Sequence, residues 1–370
     1  MAFDEAAFGN SVIVELLEMY LQEAKDKPFG FVGLVMMGMT AQNQPIAAID
    51  WAGAAHYEEP SLEAVDLLKQ RLVQQVLSWK LPPPNPDLDD SYVVWNLAHG
   101  PLGFDFIPWL VNVEMVRRRS GAPGPLKIGF YLGKNPIKAL ATGNRDLWLN
   151  KVYRPAMDMI GAVEDPINGI FGHDHQSFTT GPIVKGFKAG EQVPLLSSGL
   201  PPRRPGCVTI TLREAKHWVM RNSKFDEWMK FADYLKECGE EVVIVRDTLK
   251  ADEPLEGYDT DPEASVELKV RASLYEGAKC NLCAGGGPWQ LMLFGAAPWL
   301  SFIHSDDDPH GYTPNSTEVW RHSMGIQIGQ QFPWQTENQR IVWLDDTYDN
   351  IRAAWESLPL NHLGNRRYGT

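Results

Sequence analysis

The chain alternates short, nearly unbroken apolar runs with longer stretches in which apolar residues recur every third or fourth position. Unbroken runs are the pattern of strands buried on both faces, and the spaced pattern is that of amphipathic helices. The runs SYVVWNLA (91–98) and LKIGFYLG (126–133) enclose a helical stretch, FIPWLVNVEMVRRRS, which Gly121 closes. A further helix is predicted near 147–160. Beyond residue 200 the alternation sharpens. The runs CVTITL (207–212), EVVIV (241–245), KCNLC (279–283), WLSFI (299–303) and RIVWL (340–344) read as strands. Helices are predicted between them at 223–237, with Gly239 as a stop, at 262–277 and from Trp289, and a last one at 347–357.

Two proline clusters punctuate this pattern, LPPPNPDLDD (81–90) and LPPRRPG (200–206). They set three expected units, residues 1–88, 89–200 and 201–370. The first combines an amphipathic helix near 11–25, the apolar run at 30–38, the short strand PIAAIDWAG and a helix at 61–79. Strands alternating with helices in the other two define parallel sheets. The expected fold class is therefore α/β, with two Rossmann-like doubly wound domains preceded by a small α+β N-terminal domain. That small unit carries no recognisable chemistry and is a candidate surface for a protein partner.

Composition narrows the function. The 370 residues carry 34 basic and 47 acidic side chains, a net charge of −13, which argues against nucleic acid as a partner. No apolar run is long enough to span a bilayer, and the N-terminus has acids where a signal peptide needs bases. Four cysteines do not suggest a disulfide framework. A cytoplasmic location follows as the expectation, with the NST sequon at Asn315 an accident. Thirteen tryptophans suit sugar handling, although buried packing explains most tryptophans anywhere.

In open parallel sheets ligands bind beyond the carboxyl ends of the strands, so the residues there are the candidates. After the first strand come His99, Gly100, Gly103 and Asp105. The glycines let backbone approach an acceptor, and Asp105, or His99 as second candidate, could take its proton. Alternatively Asp105 is only a helix N-cap. Arg213 leaves the next sheet's first strand with a fork suited to a diphosphate, or else pairs with Glu214 or another surface acid. Asn222 or Ser223 reads as the N-cap of the following helix. The turn Gly285, Gly286, Gly287, Pro288 precedes a helix, where exposed amides and the helix dipole favour an anion, or else it is a tight-packing turn without a ligand. It is neither a P-loop nor a dinucleotide fingerprint. His304 ends the next strand and joins the donor-side group. The acidic run at 306–308 and the H-x-H at 173–175 tempt a metal reading, but solvated loops are preferred and no metal is assigned. Cys280 and Cys283 fall within one strand, with Cα atoms about 10 Å apart on opposite faces. That is too far for a disulfide, and they read as core thiols.

The glycine bend ending in Asp105 (GPLGFDFIP) and the late glycine turn resemble the GT-B glycosyltransferases, distantly the heptosyltransferase group. In that group the aspartate directly follows a glycine, whereas Phe104 intervenes here. The resemblance spans about residues 91–357 in architecture. It implies an inverting transfer, without metal or other cofactor, from a nucleotide-sugar donor to a sugar or glycan acceptor, in polysaccharide biosynthesis. Asp105 would be the base, and Arg213 and Gly285–Gly287 would meet the diphosphate. A nucleotide-sugar epimerase or hydrolase on the same scaffold, or a non-catalytic nucleotide-sugar-binding protein, is the alternative.

Overall fold

A computed structural model describes residues 90–96, 103–131, 146–165, 179–215, 219–304 and 317–359. The expected N-terminal unit, His99, Gly100, the acidic run at 306–308 and the H-x-H at 173–175 lie outside them.

Within the described residues the protein is a mixed α/β structure with two parallel sheets. The first orders its strands β1 (Tyr92–Asn96), β2 (Lys127–Tyr131) and β3 (Val163–Glu164), with Tyr92 opposite Lys127. Helix α1 (Phe106–Ser120) crosses from β1 to β2, and Gly121 closes it in the left-handed conformation at φ 72°. The helix expected near 147–160 forms, but a π-turn at Leu149–Tyr153 interrupts it before α2 (Arg154–Met159). Helix α3 (Gly181–Lys188) was not legible in the apolar pattern.

The second sheet contains β4 (Val208–Thr211), β5 (Val242–Val245), β6 (Asp259–Thr260), β7 (Cys280–Ala284), β8 (Trp299–Phe302) and β9 (Gln339–Val342). Their order across the sheet is β6-β5-β4-β7-β8-β9, all parallel, with Val208 opposite both Val242 and Cys280. This is the doubly wound order, in which the chain reverses its direction of travel between β4 and β7. Helix α4 (Phe225–Glu237) follows β4. The single helix expected at 262–277 is two, α5 (Pro262–Val266) and α6 (Leu268–Gly277), broken where Glu267 is extended. Arg271 satisfies carbonyls at the break, donating to Ala264 and Ser265 at 2.7 and 2.9 Å. Helix α7 (Trp289–Leu293) is one turn long, and α8 (Tyr348–Glu356) closes the described chain with Thr347 accepting the Asn350 N–H.

The faces of the second sheet bury different sets of residues. Val208, Ile210, Leu282, Leu300 and Phe302 pack with Trp228 and Phe231 of α4 and Trp355 of α8. The opposite face contributes Cys283, Trp299 and Ile303 to an apolar cluster that continues into Trp95, Phe106 and Trp109 of the first sheet and its helix. Most of the described tryptophans that are buried therefore serve packing, in line with the commoner role of that residue.

The linker between the sheets is tied down by close backbone contact. Arg203 N–H donates to Ser273 and Gly206 N–H to Gly277, and a Cβ at Gly277 would lie 2.4 Å from the Arg203 carbonyl oxygen. Gly277→Ala is expected to destabilise the fold by about 1–3 kcal/mol through this overlap. Urea denaturation checks it, and an unshifted midpoint would contradict the contact.

Candidate functional site

The residues that follow β4 form a loop stapled to itself. Ser223 Oγ accepts the Arg213 N–H at 2.9 Å, and the Ser223 N–H returns to the Arg213 carbonyl at 3.0 Å. Asn222 Oδ1 accepts from Arg213 Nη1 and, at 3.1 Å, from the Ala215 N–H, while Asn222 Nδ2 donates to the Ala215 carbonyl. Asn222 and Ser223 are therefore not the cap of α4, as their type suggests. That cap position is Lys224, whose N–H is taken by Asp346 from beyond β9. The staple places Arg213 and Arg221, carried by the 3-10 turn Val219–Arg221, close enough to repel one another.

Glu214, the sequence neighbour of Arg213, pairs with other residues. It accepts from Arg246 at 2.5 and 3.1 Å and from Lys250 at 3.2 Å. Burial lowers the Arg213 pKa, with Asp247 pulling the other way. Arg221 is brought down to about 10, first by burial and then by the charge of Arg213, with Asp105 opposing. Its buried Nε has no hydrogen-bond partner among the described residues. Two guanidiniums held together against their own repulsion, one with an unsatisfied donor, form a place that favours an anion.

The glycine turn after β7 lies against the same loop. A Cβ on Gly286 would sit 3.3 Å from Arg213 Cδ, and one on Gly287 would sit 2.6 Å from Phe104 Cδ2. The turn thus touches both the arginine loop and the bend after β1. Two expectations about it change. The Gly285 N–H donates to the Phe302 carbonyl at 2.8 Å and is committed to the sheet. The helix that Pro288 opens is a single turn, with Phe294 capping it before Gly295, so its dipole is small. Of the groups here that could meet an anion, the guanidiniums offer more charge than the short helix.

Asp105 sits at the start of α1 with φ −60° and ψ −19° and makes no capping bond with its side chain. Asp105 thus holds the N-cap position by its backbone, while its side chain is not used as a cap. Its carboxyl is pushed up to about 6 by burial, against the pull of Arg221. A carboxyl in that range exchanges its proton near neutral pH, as a general base requires. Two residues earlier, the Gly103 N–H donates to Tyr153 Oη at 3.2 Å. A shallow hollow with room for little more than a water molecule adjoins Phe104 and is walled by Trp148, Lys151, Thr248, Ser265 and Arg271. Arg271 is buried, and its Nη1 has no hydrogen-bond partner among the described residues.

The structure thus brings Asp105, Arg213, Gly286 and Gly287 together at the switch point of the second sheet, with Gly103 two residues away. His304 instead faces outward, its Nδ1 3.0 Å from Asp345, which also holds Lys224. Arg221 follows Arg213 by eight residues and drew no role from its sequence position; Tyr153 and Phe104 drew none either. The cysteines are core residues on opposite faces of β7, Cys280 against α4 and α8 and Cys283 against Met292. Burial pushes both thiols up, Cys283 to about 12. Among the described residues no group of three or more His, Cys, Asp or Glu could hold a metal ion, and no helix is long and apolar enough to cross a membrane.

No protein-family model matches the sequence, and no curated protein matches it either. Among solved structures, the chain is similar to the dodecameric iron-containing heptosyltransferase TibC in complex with ADP-D-beta-D-heptose. Identity is 15% and the TM-score 0.41, over 75% of this chain and 76% of that one. It is also similar to the bacterial iron-containing dodecameric glycosyltransferase TibC of enterotoxigenic E. coli H10407, at 15% identity and a TM-score of 0.40. That match covers 72% of this chain and 73% of the other. Likeness at this level describes gross arrangement alone, and function has to be read from the residues at the switch point.

The Asp105 shift has a consequence for stability. In the unfolded chain the carboxyl ionises near 3.8, in the folded chain near 6. Below the lower value both states are neutral and Asp105 has no effect. Between the two only the unfolded chain gains the charge, so stability falls as pH rises, by about 3 kcal/mol in all. Asp105→Asn removes this loss. In urea denaturation the variant is expected to match the parent near pH 3.5 and to exceed it at pH 7.5 by up to about 3 kcal/mol. A variant less stable than the parent at pH 7.5 would contradict the shift.

Proposed function

We propose that this protein is a glycosyltransferase that moves a sugar from a nucleotide-sugar to a hydroxyl acceptor with inversion at the anomeric carbon. One observation carries the reading. Arg213 packs its side chain on a glycine turn at the switch point of a doubly wound sheet, and Arg221 lies near enough to interact both with Arg213 and with the Asp105 carboxyl, which is pushed up to about 6.

In this reading the donor diphosphate lies across Arg213 and Arg221, close to Gly286 and Gly287. Asp105 accepts the proton of the acceptor hydroxyl as its oxygen attacks the anomeric carbon. The bond from that carbon to the diphosphate breaks, and the nucleoside diphosphate leaves with its negative charge met by the two guanidiniums. No metal or other cofactor is called on, because the arginines neutralise the leaving group. A diffusible nucleotide-sugar places the reaction in the cytoplasm.

Calorimetric titration with nucleoside diphosphates and their sugars tests the binding half, and turnover of a nucleotide-sugar that binds tests the chemistry. Arg221→Ala is expected to weaken nucleoside diphosphate binding at least roughly 10-fold, by loss of a charge-assisted contact. Asp105→Asn is expected to retain binding and to lose turnover by about 10²–10⁴-fold. Failure of every nucleoside diphosphate to bind the parent protein would overturn the donor site. Full turnover in Asp105→Asn would overturn the base.

A further inference from the structure

Asp105 is flanked on both sides by contacts from one short segment of another element. Ahead of it, the Gly103 N–H is bound by Tyr153 Oη at 3.2 Å. Behind it, Phe106 stacks on the Tyr153 ring, with centroids 4.4 Å apart and planes at 28°. Phe104, the immediate neighbour, meets Trp148 edge-on at 5.4 Å on its way to Gly287. Tyr153 itself is fully buried and occupies the last position of the π-turn Leu149–Tyr153. Such turns insert an extra residue into a helix, re-aim the side chains that follow, and recur at functional sites.

The phenol is more than another core ring. Trp95 and Phe130 hold the ring at 6.0 and 6.2 Å, so packing alone would be served by phenylalanine. The hydroxyl adds a partner for a backbone donor that the bend after β1 leaves without a strand or helix to receive it. It also lies near enough to the Asp105 carboxyl for that charge to oppose ionisation of the phenol.

We propose that Tyr153 is a positioning residue for Asp105: its hydroxyl fixes the Gly103 end of the bend while its ring holds Phe106, so the carboxyl between them keeps one depth and direction. The catalytic consequence rests on the reading of Asp105 as the base. The positioning itself can be measured without any substrate. Among the described residues, the charged and titratable groups that bear on Asp105 are Arg221, with Arg213 behind it, and Tyr153. A looser bend would let water reach the carboxyl and lower its titration midpoint.

The test compares Tyr153→Phe with Phe130→Leu in the full chain. Tyr153→Phe keeps the stacked rings and removes only the hydroxyl. Phe130→Leu weakens the same ring cluster and leaves the hydroxyl in place. NMR follows hydrogen exchange at the Gly103 amide and the titration of the Asp105 carboxyl, which is assigned by its absence in Asp105→Asn. Tyr153→Phe is expected to speed Gly103 exchange roughly 10-fold, as loss of one net hydrogen bond does. It is also expected to move the Asp105 midpoint down from about 6 toward the ordinary carboxylate range. The acid limb of kcat is expected to move with it, with kcat lower by about 10-fold or more and the donor KM unchanged. Phe130→Leu is expected to move neither the exchange nor the midpoint. Parental exchange and midpoint in Tyr153→Phe, or an equal shift in Phe130→Leu, would overturn the proposal. Failure of nucleoside diphosphates to bind the parent would remove the donor site and leave the NMR comparison to decide the positioning on its own.

Discussion

The ring of Phe104 rests on the backbone of Gly287, so close that a single methyl group there would fall 2.6 Å from a ring carbon. This contact joins the bend after β1 to the turn after β7, and every other feature of the site depends on that meeting. It sets Asp105, next in sequence to Phe104, opposite the loop that leaves β4. It also continues the apolar cluster that the first sheet shares with one face of the second. Where two sheets meet through a packed ring and not through a layer of water, charges at the junction are desolvated. The raised Asp105 and the lowered Arg221 both have burial as their first cause.

Desolvation explains why the loop after β4 is built as it is. Two arginines at a half-buried junction repel each other and lose hydration, so a flexible loop would let them separate. Asn222 and Ser223 oppose that by closing the loop with four hydrogen bonds of ordinary length and a fifth to the Arg213 guanidinium itself. The closed loop therefore holds the two guanidiniums near one another in the folded state, before any ligand is present. Glu214, next to Arg213 in sequence, is held by Arg246 and Lys250.

Much of this was visible in the sequence, because strand and helix patterns are local. The apolar runs located β4, β5, β7, β8 and β9 to within a residue or two, and the strand-end rule led directly to Asp105, Arg213 and the glycine turn. What was not visible is what depends on distant partners. Nothing in PEASVELKVRASLYEG marks a break at Glu267, since no glycine or proline stands there. The break exists because Arg271 and Thr248 take carbonyls that a continuous helix would keep. Asn222 and Ser223 are good capping residues by type, yet their side chains turn back to the strand end while Asp346, over a hundred residues away, serves the helix. Tyr153 and Gly103 are 50 positions apart, and a tyrosine in an amphipathic stretch carries no mark of a backbone partner. The glycines were found for a partly mistaken reason, because the helix behind them is too short to offer much dipole, and at Gly287 the missing side chain makes room for a ring.

Strand β7 belongs to two cores at once. Cys280 lies in the cluster under α4 and α8, and Cys283, three residues on, lies in the cluster shared with the first sheet. Neither thiol reacts while its core is closed, because burial keeps both protonated. The two therefore serve as built-in clocks on separate events: Cys280 is labelled when the helices lift from the outer face, Cys283 when the sheets part. Their labelling rates, measured side by side, would resolve whether the junction that carries the site opens before the second sheet unfolds or only along with it.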